Sequence, residues 1–172
     1  MKVLIGYASG YGSTKSYAEV VAEELRGAGH EVTVAEARQA GDITGYDHVI
    51  IGGSLRAGSL LGQARKLAKQ VVKADKPHHL FICCLSPTTE EGRKSFTEET
   101  LPKLKDKLGG ANFDDLGLFP GQRNMDEYGF IVRGIMKSIA EKGGVENPEE
   151  PKDYRDFELA REWSRGLDAK LG

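Results

Sequence analysis

Cross-links are the first thing the sequence lacks. Its only two cysteines, Cys83 and Cys84, are adjacent within the apolar run Leu80-Phe81-Ile82-Cys83-Cys84-Leu85, and neighbouring residues of a strand point to opposite faces. That arrangement excludes a disulfide framework. With no C-x-x-C and no histidine at ligand spacing, it also offers no metal site. Two core-type thiols fit a reducing cytoplasm. Long apolar runs are missing too: nothing reaches transmembrane length, and the stretch from Met1 to Gly6 is too short for a signal peptide. Nor is there an excess of one charge. Twenty-four Lys and Arg against 26 Asp and Glu leave a formal net charge of -2, so no global field points to nucleic acid or an anionic membrane. What is there, in 172 residues of which 39% are hydrophobic and 29% charged, is the composition of one soluble globular domain able to bury a core unaided.

Periodicity orders that domain. Lys2 to Tyr7 reads as a strand, followed by a helix whose Tyr17, Ala18, Val21, Ala22 and Leu25 recur at three and four and which closes at Gly27 and Gly29. Strands are expected at Glu31 to Ala35, His48 to Gly52 and His79 to Leu85, with a helix from about Leu60 to Lys73 between the last two. Glu90 to Leu108 reads as a helix whose second half Pro102 should start or kink, and Asn112 to Phe119 as the fifth strand. An added helix then carries the apolar stripe Tyr128, Ile131, Val132, Ile135, Met136 and Ile139 up to Gly143-Gly144. A polar loop to Asp153 and a helix from Tyr154 to Leu171 finish the chain. Strands alternating with helices, the middle ones apolar throughout, argue for an α/β parallel sheet covered on both faces. The order 2-1-3-4-5 needs only five strands and places ligands outside the carboxyl ends, between strands 1 and 3; the dinucleotide-binding order wants a sixth.

Three loops at those ends carry the chemistry. The first, Ser9-Gly10-Tyr11-Gly12-Ser13-Thr14, runs from strand 1 into the first helix. Glycines let backbone N–H groups face inward, three hydroxyls can donate to phosphate oxygens, and the helix terminus adds free amides and a favourable dipole. The competing reading is a capping turn with Ser13 as N-cap, which needs only one hydroxyl. A Walker A spacing is absent. The dinucleotide fingerprint meets Lys15 where its third glycine belongs, and only Glu36, past strand 2, speaks for it. The second loop, Gly52-Gly53-Ser54-Leu55-Arg56-Ala57-Gly58-Ser59, is glycine-rich enough for a flat ligand to approach its backbone. It resembles a nucleophile elbow but ends in arginine and has no suitable histidine after it. The third, Ser86-Pro87-Thr88-Thr89-Glu90-Glu91, reads equally as a ligand wall and as a capped helix start.

Ser9 to Thr14 resembles the flavodoxin phosphate signature [ST]-x-T-G-x-T, matching at Ser9, Gly12 and Thr14, with Tyr11 where threonine is usual and Lys15 where an acid is common. Over nearly the whole chain the likeness is to the flavodoxin-like branch that includes menaquinone-dependent protoporphyrinogen dehydrogenase. Ile50 to Gly58, Phe119-Pro120-Gly121-Gln122-Arg123 to Tyr128, and Ile135-Met136-Lys137 to Gly144 carry it. The resemblance implies a flavodoxin-like three-layer sandwich and one noncovalent FMN. The phosphate would lie in Ser9, Gly10, Tyr11, Gly12, Ser13 and Thr14. The ring would lie between Ser54, Leu55, Arg56 and Ala57 on one side and Leu85, Ser86, Pro87 and Thr88 on the other, with Gly121, Gln122, Arg123 and Asn124 along its edge.

The flavin carries the redox chemistry, so no catalytic acid or base is required. Arg56 is the side chain expected to act on the ring electrostatically, and Gly53 and Gly58 are the places where a peptide can turn toward it. Two redox functions compete: a carrier exchanging electrons with ferredoxin or an oxidoreductase, and an enzyme oxidising protoporphyrinogen or reducing a quinone. A phosphate-binding module without redox chemistry is the third reading. The apolar stripe of the added helix packs on its own domain or forms a homodimer or membrane-surface face.

Overall fold

The computed structural model describes residues 1–56, 58–123, 129–131, 133–134, 137–138 and 150–171. Its strands are β1 (Lys2–Ala8), β2 (Glu31–Glu36), β3 (His48–Arg56), β4 (Ser59–Leu60), β5 (His78–Cys84), β6 (Gly117–Pro120), β7 (Gln122–Arg123) and β8 (Lys152–Asp153). Five of them form the parallel sheet β2-β1-β3-β5-β6. Once the two-residue β4, which pairs antiparallel with the end of β3, is set aside, this is the expected order 2-1-3-4-5. A small antiparallel ribbon of β7 and β8 stands beside the sheet.

Helices α1 (Ser13–Gly27), α2 (Gly62–Lys73), α3 (Glu90–Ser95), α4 (Leu101–Leu108) and α5 (Phe157–Leu171) cover it. Alternate strand residues point to opposite faces, so the apolar strands feed two cores. Val3, Ile5, Ile50, Phe81 and Cys83 face α1 and α5 through Tyr17, Val21, Leu25, Ala160 and Leu167. Leu4, Val49, Ile51, Leu80 and Ile82 face Leu67 and Val71 of α2 and Leu104 of α4, with Cys84 packed against that side. The adjacent cysteines are free, and they lie on opposite faces of the sheet.

Three elements differ from the sequence reading. β3 runs on to Arg56 rather than ending at Gly52. The helix expected from Glu90 to Leu108 is broken by a π turn at Phe96–Thr100, where the Leu101 N–H bonds back to the Phe96 carbonyl. Pro102 then sits in the first turn of α4, the one place where a missing N–H leaves no gap. The fifth parallel strand is only Gly117–Pro120, because the residues before it turn on themselves. Asp114 N donates to Asn112 Oδ1 (2.9 Å) and Leu116 N to the Phe113 carbonyl (3.2 Å). The added helix with its stripe lies largely outside the described residues. Among the described residues no helix is long and apolar enough to cross a membrane.

Candidate functional site

The first loop spans four residues between the end of β1 and the start of α1. Gly12 occupies the N-cap at φ 90°, a backbone conformation that side-chain-bearing residues rarely adopt. Its N–H donates to Ser9 Oγ at 2.9 Å, which closes the loop. The capping alternative is corrected here. Ser13 is the first helical residue and no side chain caps α1, so the free amides of its first turn, with no acid among them, remain open to an anion.

The loop's hydroxyls instead fasten it to its neighbours. Thr14 is fully buried, and its Oγ1 lies 2.6 Å from Ser54 Oγ. Ser54 Oγ also lies 3.5 Å from the Ala8 carbonyl, and either hydroxyl of the Thr14–Ser54 pair can be the donor. On the other flank Ser13 Oγ accepts from Gln122 N (3.3 Å), and the Gln122 amide reaches the Tyr11 carbonyl (3.3 Å). Gly121 N donates to the Cys84 carbonyl (3.0 Å), bringing the chain after β6 against the end of β5. Exposed Arg56 leans over the loop, its guanidinium 5.9 Å from the Tyr11 ring centre. Three of the four expected segments thus meet in one hydrogen-bonded assembly.

The second of those segments is strand rather than free loop. Leu55 and Arg56 pair with Leu60 and Ser59, and Gly58 takes the turn between them at φ 68°. A Cβ on Gly53 would come within 2.5 Å of Leu60 Cδ2, so that glycine admits the returning strand and is not a point of turning. Ala57 lies outside the described residues. The Leu85 to Thr88 segment forms a short 3-10 turn at Ser86–Thr88 with Pro87 buried and Thr88 Oγ1 bonded to the Leu85 carbonyl (2.7 Å). Thr89 then caps α3 by accepting from Gly92 N at 3.0 Å. Arg123 is buried, its guanidinium donating to the Glu150 carbonyl at 3.1–3.2 Å and packed over the Tyr154 ring. Asn124 lies outside the described residues.

Two supporting features escaped the sequence reading. Tyr17, read as a core residue, turns its hydroxyl to the Pro120 carbonyl (2.6 Å) and accepts from Asp156 N (2.9 Å), tying α1 to the end of β6 and to the residue just before α5. Burial, the largest cause, pushes that phenol far up, so it stays neutral. Cys83 lies beneath the loop beside Thr14. Burial, and then neighbouring Cys84, push its thiol up to about 12 against the opposing hydrogen bond from Thr14, which excludes a thiolate nucleophile. Two clefts open on the β2 flank of the loop, of about 420 and 340 Å³, the first reached by Ser9, Gly12, Lys15, Glu36, Arg38 and Gln63.

A phosphate dianion fits this donor set: uncapped amides at a helix terminus, the hydroxyls of Ser9, Ser13 and Thr14, and no acid in the first turn. Among known proteins, the family model described as flavodoxin domain matches residues 4–148. The fold is similar to a short-chain flavodoxin associated with a PDU bacterial microcompartment, at 13% identity, TM-score 0.58, covering 100% of this chain and 99% of that one. It is also similar to a flavodoxin of Streptococcus pneumonia TIGR4, at 18% identity, TM-score 0.55 and 99% of both chains. Rubredoxin oxygen:oxidoreductase of Desulfovibrio gigas matches at 16% identity and TM-score 0.57, over 99% of this chain but only 36% of its own length. Its chain is therefore far longer than this one. The family match covers most of the sequence, and the chain belongs to the flavodoxin domain family, whose cofactor is FMN.

Proposed function

We propose that this chain carries electrons between redox proteins on one noncovalent FMN whose phosphate lies in the Ser9 to Thr14 loop. The observation that supports it most is the acid-free terminus of α1, pinned on one side by Thr14 to Ser54 and on the other by Ser13 to Gln122. FMN supplies the electron chemistry; the chain holds it, orients it and limits water. In this reading the amides of Gly10, Tyr11, Ser13 and Thr14 and the hydroxyls of Ser9, Ser13 and Thr14 take the phosphate. Ser54 to Ala57 and Leu85 to Thr88 flank the ring, and Gly121 to Arg123 border its edge. Arg56 brings a guanidinium to the same end of the sheet, and a cation beside the ring favours a negative charge on it. Electron transfer asks for no acid or base, and the neutral Cys83 thiol and Tyr17 phenol supply none. Free thiols at Cys83 and Cys84 suit a reducing cytoplasm.

Reconstitution with FMN tests the reading. A bound yellow flavin, reversible reduction by a ferredoxin or its reductase, and two resolved one-electron steps in a potentiometric titration are expected. Protein that retains no flavin would sink it. The likeness of Ile50 to Gly58 and of Phe119 to Arg123 to the protoporphyrinogen dehydrogenase branch supports the alternative, an FMN-dependent protoporphyrinogen dehydrogenase or quinone reductase. Steady-state turnover of protoporphyrinogen with a quinone acceptor would replace the carrier with that enzyme.

A further inference from the structure

Helix charges fall unevenly on the two faces of the sheet. α1 and α5, on one face, carry six acids and five cations. Four of those cations are engaged: Arg161 and Arg165 with Glu24 and Glu158, Lys170 with Asp115, and Arg26 with the Val32 carbonyl (2.8 Å). α2, on the other face, carries Arg65, Lys66, Lys69 and Lys73 and no acid. All four are exposed, and none makes an ion pair among the described residues. At 3.6 residues per turn they line one stripe about 12 Å long, opposite buried Ala64, Leu67, Ala68 and Val71. The stripe starts at the carboxyl end of the strands, where Leu61, the N-cap of α2, donates to the Ser54 carbonyl (3.1 Å). At its edge the positive band crosses the smaller cleft to Arg38 and the larger one to Lys15. Among the described residues Glu36, held by Arg38 Nε at 2.6 Å, is the one acid lining either cleft. Beside α2, where Gln70 reaches the Gly41 carbonyl (3.2 Å), Asp42 is occupied by the Thr44 N–H and hydroxyl (2.9 and 2.8 Å). α4, which packs against α2, adds three lysines against Asp106, behind Glu98 and Glu99 of the π turn.

Unpaired cations aligned on one helix, in a chain whose net charge is -2, are complementary to an acidic protein face and repel a basic one. Lipid fits less well, because the stripe carries no large apolar side chain to sink into a bilayer. Nucleic acid fits less well too, because α2 has no aromatic ring on which a base could stack. Three of the four cations are lysines, strongly hydrated point charges on flexible stems. Such charges attract at a distance and hold loosely, as a partner that must leave after each transfer requires. We propose that the basic stripe of α2 is the docking face for an acidic iron–sulfur protein that exchanges electrons with this chain. The proposal rests on the carrier reading, in which Ser54 to Ala57 flank the ring, so that a protein seated from Arg65 to Lys73 lies beside that wall. One electron leaves the partner's reduced cluster per encounter and is taken up by the FMN-loaded chain, the cluster being oxidised as the chain is reduced.

Stopped-flow reduction of the FMN-loaded protein by a reduced, acidic plant-type ferredoxin tests this. The rate should fall about tenfold between about 20 and 200 mM sodium chloride. Lys66→Gln with Lys69→Gln should slow it about threefold or more at low salt and flatten the salt dependence, with FMN affinity unchanged. Arg161→Gln with Arg165→Gln makes the same change of charge on the opposite face and should leave the rate nearly as it was. Amide-shift mapping with the redox-inactive, gallium-substituted ferredoxin reads docking without electron transfer and should mark Arg65, Lys66, Lys69 and Lys73. A rate indifferent to salt, equal slowing by the two double variants, or shifts confined to other segments would each overturn the docking face and leave the carrier reading intact. Binding to phosphatidylcholine–phosphatidylserine vesicles or to single-stranded DNA that is lost in the Lys66 and Lys69 variant, with ferredoxin unaffected, would overturn it as well. Shifts along α2 in FMN-loaded protein that takes no electrons from the ferredoxin would instead strike the electron transfer and leave the charge recognition.

Discussion

Thr14 is the residue that holds the β1–α1 loop to the sheet, since its buried hydroxyl joins the first helix to β3. Thr14→Ala is expected to lower stability by about 1 kcal/mol, from one lost hydrogen bond and an under-satisfied Ser54, and to weaken FMN by a similar amount. Thr14→Ser should recover most of both. Urea denaturation and a fluorescence titration check the two effects separately, and unchanged FMN affinity would mean that the phosphate lies elsewhere. Gly53→Ala places a methyl within 2.5 Å of Leu60 Cδ2 and should destabilise by about 1–3 kcal/mol; an undisturbed denaturation midpoint would contradict the packing described. The loop from Ser9 to Thr14 was legible as the junction between β1 and α1 because a strand, a glycine-rich turn and a helix start form a local pattern, complete within six residues. The far partners of that loop were not. Tyr17 and Pro120 are 103 positions apart and Ser13 and Gln122 are 109 apart, and no local period encodes such a meeting.

Among the elements, strands and helices were readable wherever burial imposes a period, as along β1, α1 and β5. They were misread where glycine, proline or side-chain turns decide. Glycines at 52 and 53 suggested a loop, yet β3 continues through them because Phe81 and Leu60 pack where their side chains would be. Pro102 suggested a kink; the chain answers with a π turn one residue before α4. β6 is short because Asn112 and Phe113 turn the segment ahead of it. Tyr17 couples three of these elements at once, so Tyr17→Phe tests the assembly as a unit. Losing both bonds of one buried hydroxyl should lower stability by about 1–3 kcal/mol. It should also loosen the chain after β6, raising amide exchange at Gly121 and Gln122. Exchange unchanged at those two amides would show that Tyr17 does not anchor them.

On the scale of the whole molecule, the sheet separates two unlike ends. The loops that follow β1, β3 and β5 gather at the carboxyl end of the strands, while all four histidines, His30, His48, His78 and His79, stand near the other. His78 Nε2 accepts from Asn112 N (2.9 Å) and its Nδ1 donates to the Lys76 carbonyl (2.7 Å). His48 and His79 stack at 5.8 Å, and neither ring nitrogen of His79 has a hydrogen-bond partner among the described residues. Burial, ahead of every neighbour, pulls both pKa values below the ordinary histidine value. Asp47 opposes this at His48, where His30, the amino terminus and Lys76 assist. At His79, His48, His78 and Lys170 assist while Asp115, 3.8 Å away, opposes. The unfolded chain therefore takes up more protons as pH falls below about 6.5, and folding stability must fall with it. Tm should drop between pH 7 and pH 5, and His79→Gln should flatten the slope; an equal slope in the variant would remove the histidine pair as its cause. The neighbouring cysteines yield a different use of the same sheet. Cys83 is sealed under α1 and α5, whereas Cys84 packs toward α2 and α4, so each thiol is a clock for one layer. Single-cysteine variants timed against a thiol reagent would reveal whether the two layers of helices lift off the sheet together or one before the other.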